Sequence, residues 1–154
     1  MLERIASLLK KKGLWIATAE SCTGGLIAHK LTNVPGSSEY FKGGVVSYSN
    51  EVKMKLLGVR EETLREYGAV SEQTAREMAN GVRKLLDVDI AIATTGIAGP
   101  GGATPTKPVG LVYASLSSPE KTIVKKFVFK GEREENKESF ANAALNILLE
   151  YLEG

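Results

Sequence analysis

The sequence predicts a single three-layer α/β/α domain over residues 1–154, with a mixed, largely parallel sheet between two helical layers. Three observations predict it. Segments with helical apolar spacing alternate with short β-rich segments along most of the chain. Val88-Asp89-Ile90-Ala91-Ile92-Ala93-Thr94-Thr95 is the nearly unbroken apolar run expected of a strand covered on both faces. Glycine-rich loops follow two of the strands, the place where open α/β sheets hold ligands.

In chain order, Leu2, Ile5, Leu8 and Leu9 recur at helical spacing until Gly13 stops the turn, and residues 14–18 then read as a buried strand. The polar residues of Glu20-Ser21-Cys22-Thr23-Gly24-Gly25 can cap a helix carrying Leu26, Ile27, Lys30 and Leu31, which runs to the turn Asn33-Val34-Pro35-Gly36. Residues 40–48 form a second strand centred on Val45 and Val46. Asn50 caps a short helix through Leu57, and another short helix lies between Arg60 and Tyr67. Ser71 opens the clearest amphipathic helix, with Ala75, Met78, Ala79, Val82, Leu85 and Leu86 on one face. After the central strand and the glycine-rich loop 96–108 come strands at 109–116 and 122–129. The short Ser117-Ser118-Pro119-Glu120 turn between them predicts an antiparallel pair. Phe140, Ala144, Leu145, Leu148, Leu149 and Leu152 then share one stripe of a final helix.

Composition excludes several function classes. With 43% hydrophobic and 25% charged residues the chain is not disordered, and at this length it can bury roughly 70% of its unfolded surface without disulfides or a structural metal. The 20 Lys and Arg against 18 Asp and Glu are interspersed and leave +2, so no nucleic-acid footprint stands out. Cys22 is the single cysteine, the start MLERIASLLKKKG is too charged for a signal sequence, and no apolar run approaches a membrane span. A cytoplasmic protein is the expectation. The 16 glycines gather at a few places, where function is to be sought.

Two of those places follow strands: Ser21-Cys22-Thr23-Gly24-Gly25 and Gly96-Ile97-Ala98-Gly99-Pro100-Gly101-Gly102. Neither ends in the Gly-Lys-Ser/Thr of a triphosphate loop, and neither spaces its glycines as a dinucleotide fold does. They serve either as ligand cradles or as tight turns. The sole histidine, His29, follows Ser21 by eight residues on the same predicted helix, some 10 Å or more up the axis at about 1.5 Å per residue, and so cannot be its base. It reads as an ordinary helix residue. A serine can instead be activated by a lysine whose pKa is lowered by burial. Tyr48-Ser49-Asn50-Glu51-Val52-Lys53 offers such a lysine at a strand-to-helix junction, with Lys55 pointing elsewhere. On spacing alone Lys53 equally reads as a solvated side chain, Ser21 and Thr23 as helix caps, and Cys22 as either a small buried residue or a thiol nucleophile at a helix start.

Taken together these segments resemble the C-terminal domain of the CinA family, the nicotinamide mononucleotide amidohydrolase (deamidase) family. The matching residues are Thr18-Ala19-Glu20-Ser21-Cys22-Thr23-Gly24-Gly25, then Gly36-Ser37-Ser38, Phe41-Lys42-Gly43-Gly44-Val45-Val46-Ser47-Tyr48-Ser49-Asn50 and Lys53. They continue with Leu57-Gly58-Val59, Gly68-Ala69-Val70-Ser71-Glu72, Thr95-Gly96-Ile97-Ala98-Gly99-Pro100-Gly101-Gly102, Lys107-Pro108-Val109-Gly110 and Gly131-Glu132-Arg133. The resemblance implies hydrolysis of the nucleotide's carboxamide to the nicotinate nucleotide and ammonia, with no metal or organic cofactor. It makes Ser21 the nucleophile, Lys53 its base and Tyr48 a residue that positions or relays the proton, and places the oxyanion donors at the N–H groups near Thr23 and Gly24. It extends substrate binding to Thr23, Gly24, Gly44, Asn50, Thr95, Gly96, Gly99, Lys107 and Arg133, with the phosphate held by the loop 96–102, Lys107 and Arg133. Arg133 alternatively pairs with Glu132 or Glu134, and Thr95 either contacts ribose or phosphate or closes its strand. The chain departs from the family's frequent Gly-Asp-Arg with a second arginine four positions later: here stand Glu132 and Lys137, and lysine lacks the bidentate fork. Many relatives also carry an N-terminal molybdopterin-binding-like domain, whose activity is not carried over to these 154 residues. The implied partner is a small nucleotide, with no nucleic acid and no membrane, in a homo-oligomer of two or more chains. A non-catalytic pyridine-nucleotide-binding module is the competing reading.

Overall fold

Gly13 closes the first helix, α1 (Leu2–Lys12), in the left-handed region at φ 65°, and its N–H returns to the Lys10 carbonyl. The chain then does not enter the sheet at once. Asp89 captures the backbone N–H of Trp15 through its carboxylate at 2.8 Å, while the Trp15 carbonyl accepts from the N–H groups of Asp89 and Ile90. The first strand, β1 (Ile16–Glu20), therefore begins two residues later than the apolar run suggests, and Trp15 stays partly exposed.

A computed structural model describes all residues, 1–154. After β1 come α2 (Leu26–Thr32), a 3₁₀ turn, β2 (Phe41–Val46), α3 (Asn50–Leu57), α4 (Glu61–Tyr67) and α5 (Glu72–Leu86). The chain finishes with β3 (Ile90–Gly96), β4 (Leu111–Ser117), β5 (Thr122–Val128) and α6 (Arg133–Glu153). The five strands lie in the order β2-β1-β3-β4-β5. β1 pairs parallel with both β2 and β3, and β4 pairs antiparallel with β3 and β5, so four strands point one way and β4 alone opposes them. This matches the expected mixed sheet between two helical layers. Because the chain leaves β1 for β2 on one side and returns to β3 on the other, the C-terminal end of β1 is a topological switch point, where crevices form.

The two faces of the sheet are built differently. Ile16, Ile90, Ile92, Ala114 and Leu116 face α1, α2 and α6, whose Ile5, Leu9, Ile27, Leu145 and Leu148 complete the larger core. The opposite face presents Ala17, Ala19, Ala91 and Ala93 to Met78, Ala79 and Val82 of α5 and to Leu57 and Val59. Small side chains let α5 lie close to the strands, and Ser115 on that face donates its hydroxyl to the Ala75 carbonyl at 2.7 Å. Two local readings need correction. Ser49, not Asn50, is the N-cap of α3, accepting from the Val52 N–H, with Asn50 as the first helical residue. Leu85 lies on the exposed side of α5, since the helix's buried stripe passes through Ala75, Met78, Ala79 and Val82. No helix is long and apolar enough to cross a membrane.

Gly81 marks the closest helix crossing. A Cβ there would stand 1.8 Å from the Leu57 carbonyl oxygen, so α3 could not keep its place against α5. Helix propensity favours alanine over glycine by about 1 kcal/mol, but overpacking costs about 1–3 kcal/mol and wins when the obstacle is backbone. Gly81→Ala is expected to lower unfolding free energy in urea by about 2 kcal/mol. Gly101→Ala, where no atom lies within 4 Å, is expected to stay within about 0.5 kcal/mol; equal values for the two would contradict this account of the crossing.

Candidate active site

α3 starts directly beyond β2, and one turn in it turns Lys53 back toward the sheet. The Lys53 side chain is only 1% exposed. Its Nζ lies 3.0 Å from Ser21 Oγ, 2.8 Å from the Ser47 carbonyl oxygen and 3.3 Å from the Tyr48 carbonyl oxygen. No carboxylate pairs with it. Burial disfavours the ammonium form and holds the Lys53 pKa below its ordinary 10.5, with only a partial opposing effect from Cys22. The three contacts suit both protonation states. As an ammonium, Lys53 donates to all three oxygens. As an amine it keeps two N–H bonds for the carbonyls and turns its lone pair to the Ser21 hydroxyl, which then donates to Nζ. That is the arrangement a lysine base requires, and the solvated reading of Lys53 does not hold.

Ser21 begins the turn that joins β1 to α2. Its N–H donates to the Thr94 carbonyl of β3, and its carbonyl accepts the Gly24 N–H at 3.1 Å. Neither Ser21 nor Thr23 caps α2, whose N-cap is Gly25 at φ 103°. The cap is instead Glu20, whose buried carboxylate accepts the N–H groups of Gly25, Ile27 and Ala28 at 3.2, 2.9 and 3.1 Å. Thr23 Oγ1 donates to the same carboxylate at 2.6 Å and, its one proton spent there, accepts from Thr94 Oγ1 at 2.9 Å. Two consequences follow for the expected oxyanion donors: the Gly24 N–H is already committed to Ser21, whereas the Thr23 N–H donates to no group of the chain. Sequence reading includes Glu20 among the polar residues that can cap α2 but does not single it out, and the structure assigns the cap to Glu20.

The other expected residues divide into groups. Thr95 stands one position beyond the Glu20–Thr94 register pair, beside Ser21, and its hydroxyl donates to the Ala69 carbonyl at 2.7 Å. Tyr48 contributes its carbonyl to Lys53, while its largely exposed ring carries the hydroxyl outward to Arg133 Nη2 at 3.3 Å. Arg133 Nη1 donates to the Gly99 carbonyl at 2.7 Å, so this arginine ties the start of α6 to the glycine loop and to Tyr48 and does not pair with Glu132 or Glu134. Gly96 is required by packing: a Cβ would lie 2.6 Å from the Leu111 carbonyl. Gly99 turns at φ 87° and leads into a cis peptide with Pro100. Three residues are not drawn into the Ser21–Lys53 contact. Gly44 lies within β2, where a Cβ would strike Thr18 Oγ1 at 2.3 Å. Asn50 is exposed at the start of α3 and its side chain makes no hydrogen bond. Lys107 reaches the Tyr67 carbonyl at the end of α4.

His29 is exposed on α2 and its ring hydrogen-bonds only with Asn33, as the ordinary-helix reading has it. Cys22 is buried against Ala98, Val112 and Phe140, and burial pushes its thiol from 9.0 up to about 12, so at neutral pH it is protonated. No group of three or more His, Cys, Asp or Glu side chains is placed to hold a metal ion.

Comparison with known proteins identifies the family and the fold. The family model described as the CinA C-terminal domain matches residues 1–152. The CinA-like protein of Chloroherpeton thalassium is 58% identical over 154 residues, covering 97% of this chain and 37% of that protein. The chain thus spans well under half the length of such curated relatives. Among solved structures, the competence/damage inducible protein CihA from Agrobacterium tumefaciens superposes with a TM-score of 0.96 at 41% identity, covering 99% of this chain and 93% of that one. The competence or damage-inducible protein from Enterobacter asburiae follows at 0.95 and 38%, covering 98% and 95%.

The thiol's environment is open to a direct check. Native protein at pH 8 is expected to resist alkylation by iodoacetamide at Cys22 and to react only when unfolded, because the thiolate is the reactive form. Rapid labelling of the folded protein would contradict the placement of Cys22 in the core.

Proposed function

The chain belongs to the CinA C-terminal domain family, and from that premise we propose that it is an amidohydrolase that converts nicotinamide mononucleotide to nicotinate mononucleotide and ammonia, with Ser21 as nucleophile and Lys53 as base. The observation that carries the proposal is the 3.0 Å contact between a serine hydroxyl and a buried lysine amine that has no counterion.

In this reading Ser21 Oγ attacks the carboxamide carbon while Lys53 Nζ takes the hydroxyl proton. The Ser47 and Tyr48 carbonyls hold the resulting ammonium, which reduces the cost of forming a charge in a buried site. The tetrahedral oxyanion is met by backbone donors that include the Thr23 N–H, one such donor being worth about a hundred- to thousandfold in rate. Collapse breaks the carbon–nitrogen bond, Lys53 returns its proton to the leaving nitrogen, and ammonia departs, leaving an ester on Ser21. Water, deprotonated by the same amine, then cleaves the ester to the carboxylate and restores the hydroxyl. Thr95, whose proton is committed to Ala69, presents only acceptor lone pairs beside Ser21 and suits the amide's NH₂. Arg133, with the glycine loop it fastens, supplies cationic and N–H donors for the phosphate. A module that merely holds a nucleotide has no use for a buried, unpaired amine, which lowers stability whenever it is protonated. That favours the enzyme.

Ser21→Ala is expected to abolish ammonia release from the nucleotide, and Lys53→Met to reduce it by at least about a hundredfold, with both proteins folded by circular dichroism. Since the neutral amine is the active form, kcat/KM should rise with pH through one ionisation whose midpoint lies below the ordinary lysine value of 10.5. Wild-type rates in Ser21→Ala, or a flat profile, would refute the assigned roles.

A further inference from the structure

Glu20 lies in the nucleophile segment, and the proposed reaction leaves its carboxylate unused. It is 1% exposed, and no cationic side chain pairs with it. A carboxylate is retained in such a place only if strong donors replace water. Here all of them come from the segment just beyond Ser21: the Thr23 hydroxyl and the N–H groups of Gly25, Ile27 and Ala28.

We propose that Glu20 is a positioning residue for Ser21, one that acts through the turn and never touches substrate; the inference rests on the Ser21–Lys53 reading above. The bonds close a loop of chain around the serine. Glu20 precedes Ser21 directly, and its carboxylate reaches over the turn to residues 23, 25, 27 and 28. On the far side, Thr94 of β3 takes the Ser21 N–H through its carbonyl and gives its hydroxyl proton to Thr23. The Ser21 backbone is thus held before and after the residue, against two elements of the sheet and one helix. That leaves the side-chain torsion as its main freedom, and only some of its staggered settings can place Oγ against Lys53. Gly24 and Gly25, both at positive φ, would otherwise make this the most pliable stretch of the site. A serine attached to a loosened turn spends part of its time out of reach of the amine, and a misplacement of about 1 Å costs about a hundredfold in rate.

The structure also supplies a control. Glu77 ties down the start of α4, accepting the Arg60 N–H at 2.9 Å and the Thr63 hydroxyl at 2.7 Å; it is more exposed than Glu20, lies 3.8 Å from the Arg60 guanidinium and has no part in the Ser21 turn. Glu20→Gln and Glu77→Gln each replace an acceptor oxygen with a donor at the start of a short helix, so both are expected to lower Tm, Glu20→Gln by more because its carboxylate is buried and accepts four donors.

The test measures the rate at which Ser21 reacts with a fluorophosphonate, followed by intact-mass and peptide mass spectrometry. Ser21 Oγ forms a bond to phosphorus, fluoride leaves with the P–F electron pair, and the hydroxyl proton passes to Lys53 and then to solvent. Glu20→Gln is expected to slow labelling by about ten- to a hundredfold, with the pH midpoint of labelling unchanged because the carbonyls around Lys53 are untouched, while Glu77→Gln labels at the wild-type rate. Glu20→Asp should recover little, since the shorter side chain cannot span the turn. If Glu20→Gln does not fold, Thr23→Val, which removes one strut and keeps the shape, is expected to slow labelling about tenfold. Wild-type labelling rates in Glu20→Gln, or in Thr23→Val if that variant must stand in, would overturn the inference while leaving the Ser21–Lys53 reading intact. Equal slowing in Glu77→Gln would also overturn it, showing general loss of stability. A wild-type protein that labels at Ser21 but releases no ammonia from nicotinamide mononucleotide would remove the substrate assignment and leave the inference to be judged on the labelling rates. A wild-type Ser21 inert to the reagent would refute both.

Discussion

A lysine amine sealed away from water with no carboxylate beside it sets the terms for the rest of this molecule. Its neighbours are two main-chain carbonyls and one hydroxyl. Such a site works only if those oxygens are fixed, because a carbonyl that drifted away would leave a buried N–H without a partner. The sheet provides that rigidity. Ser47 is tied back to β1 through its N–H and hydroxyl, both donating to the Glu20 carbonyl, so the carbonyl that holds Lys53 is anchored one residue from the nucleophile. The fold prefers the neutral amine, so this site's contribution to stability is least where Lys53 is protonated and grows as pH rises from its folded pKa toward 10.5.

The asymmetry of the sheet serves the same end. Its isoleucine- and leucine-bearing face carries most of the apolar burial against α1, α2 and α6, whereas the alanine- and serine-bearing face exists for close approach. α5 settles onto that second face, and α3, carrying Lys53, packs against α5 at Gly81 without intervening side chains. Bulkier strand residues would lift α5 and with it the lysine. Stability is concentrated on one side of the sheet and positional accuracy on the other, and Ser21 projects from the switch point between them.

Much of this was legible in the residues. Element order and type followed from period and from glycine stops, since long apolar runs and amphipathic stripes are the strongest local signals. The lone histidine, too far up its helix, and a lysine at a strand-to-helix junction make Ser21 and Lys53 candidates, while their roles as nucleophile and base are what the resemblance to the CinA C-terminal domain implies. What escaped the sequence depends on contacts between distant residues. The start of β1 is set by Asp89, 74 positions from Trp15. Glu20 is one of several polar residues that can cap the next helix, and only the convergence of donors from residues 23, 25, 27 and 28 singles it out. The resemblance makes Gly44 and Gly96 substrate-binding residues, yet each is demanded by a neighbouring strand's atoms. Lys107 reads as a phosphate ligand, and only the fold shows its amine bound to the end of α4.

The most direct measurement is the ionisation of Lys53 itself, followed by NMR of protein carrying ¹³C and ¹⁵N at lysine side chains, with Lys53→Met to assign the resonance. The account predicts one lysine that titrates below the ordinary 10.5. A Lys53 resonance that titrates with the exposed lysines would contradict it.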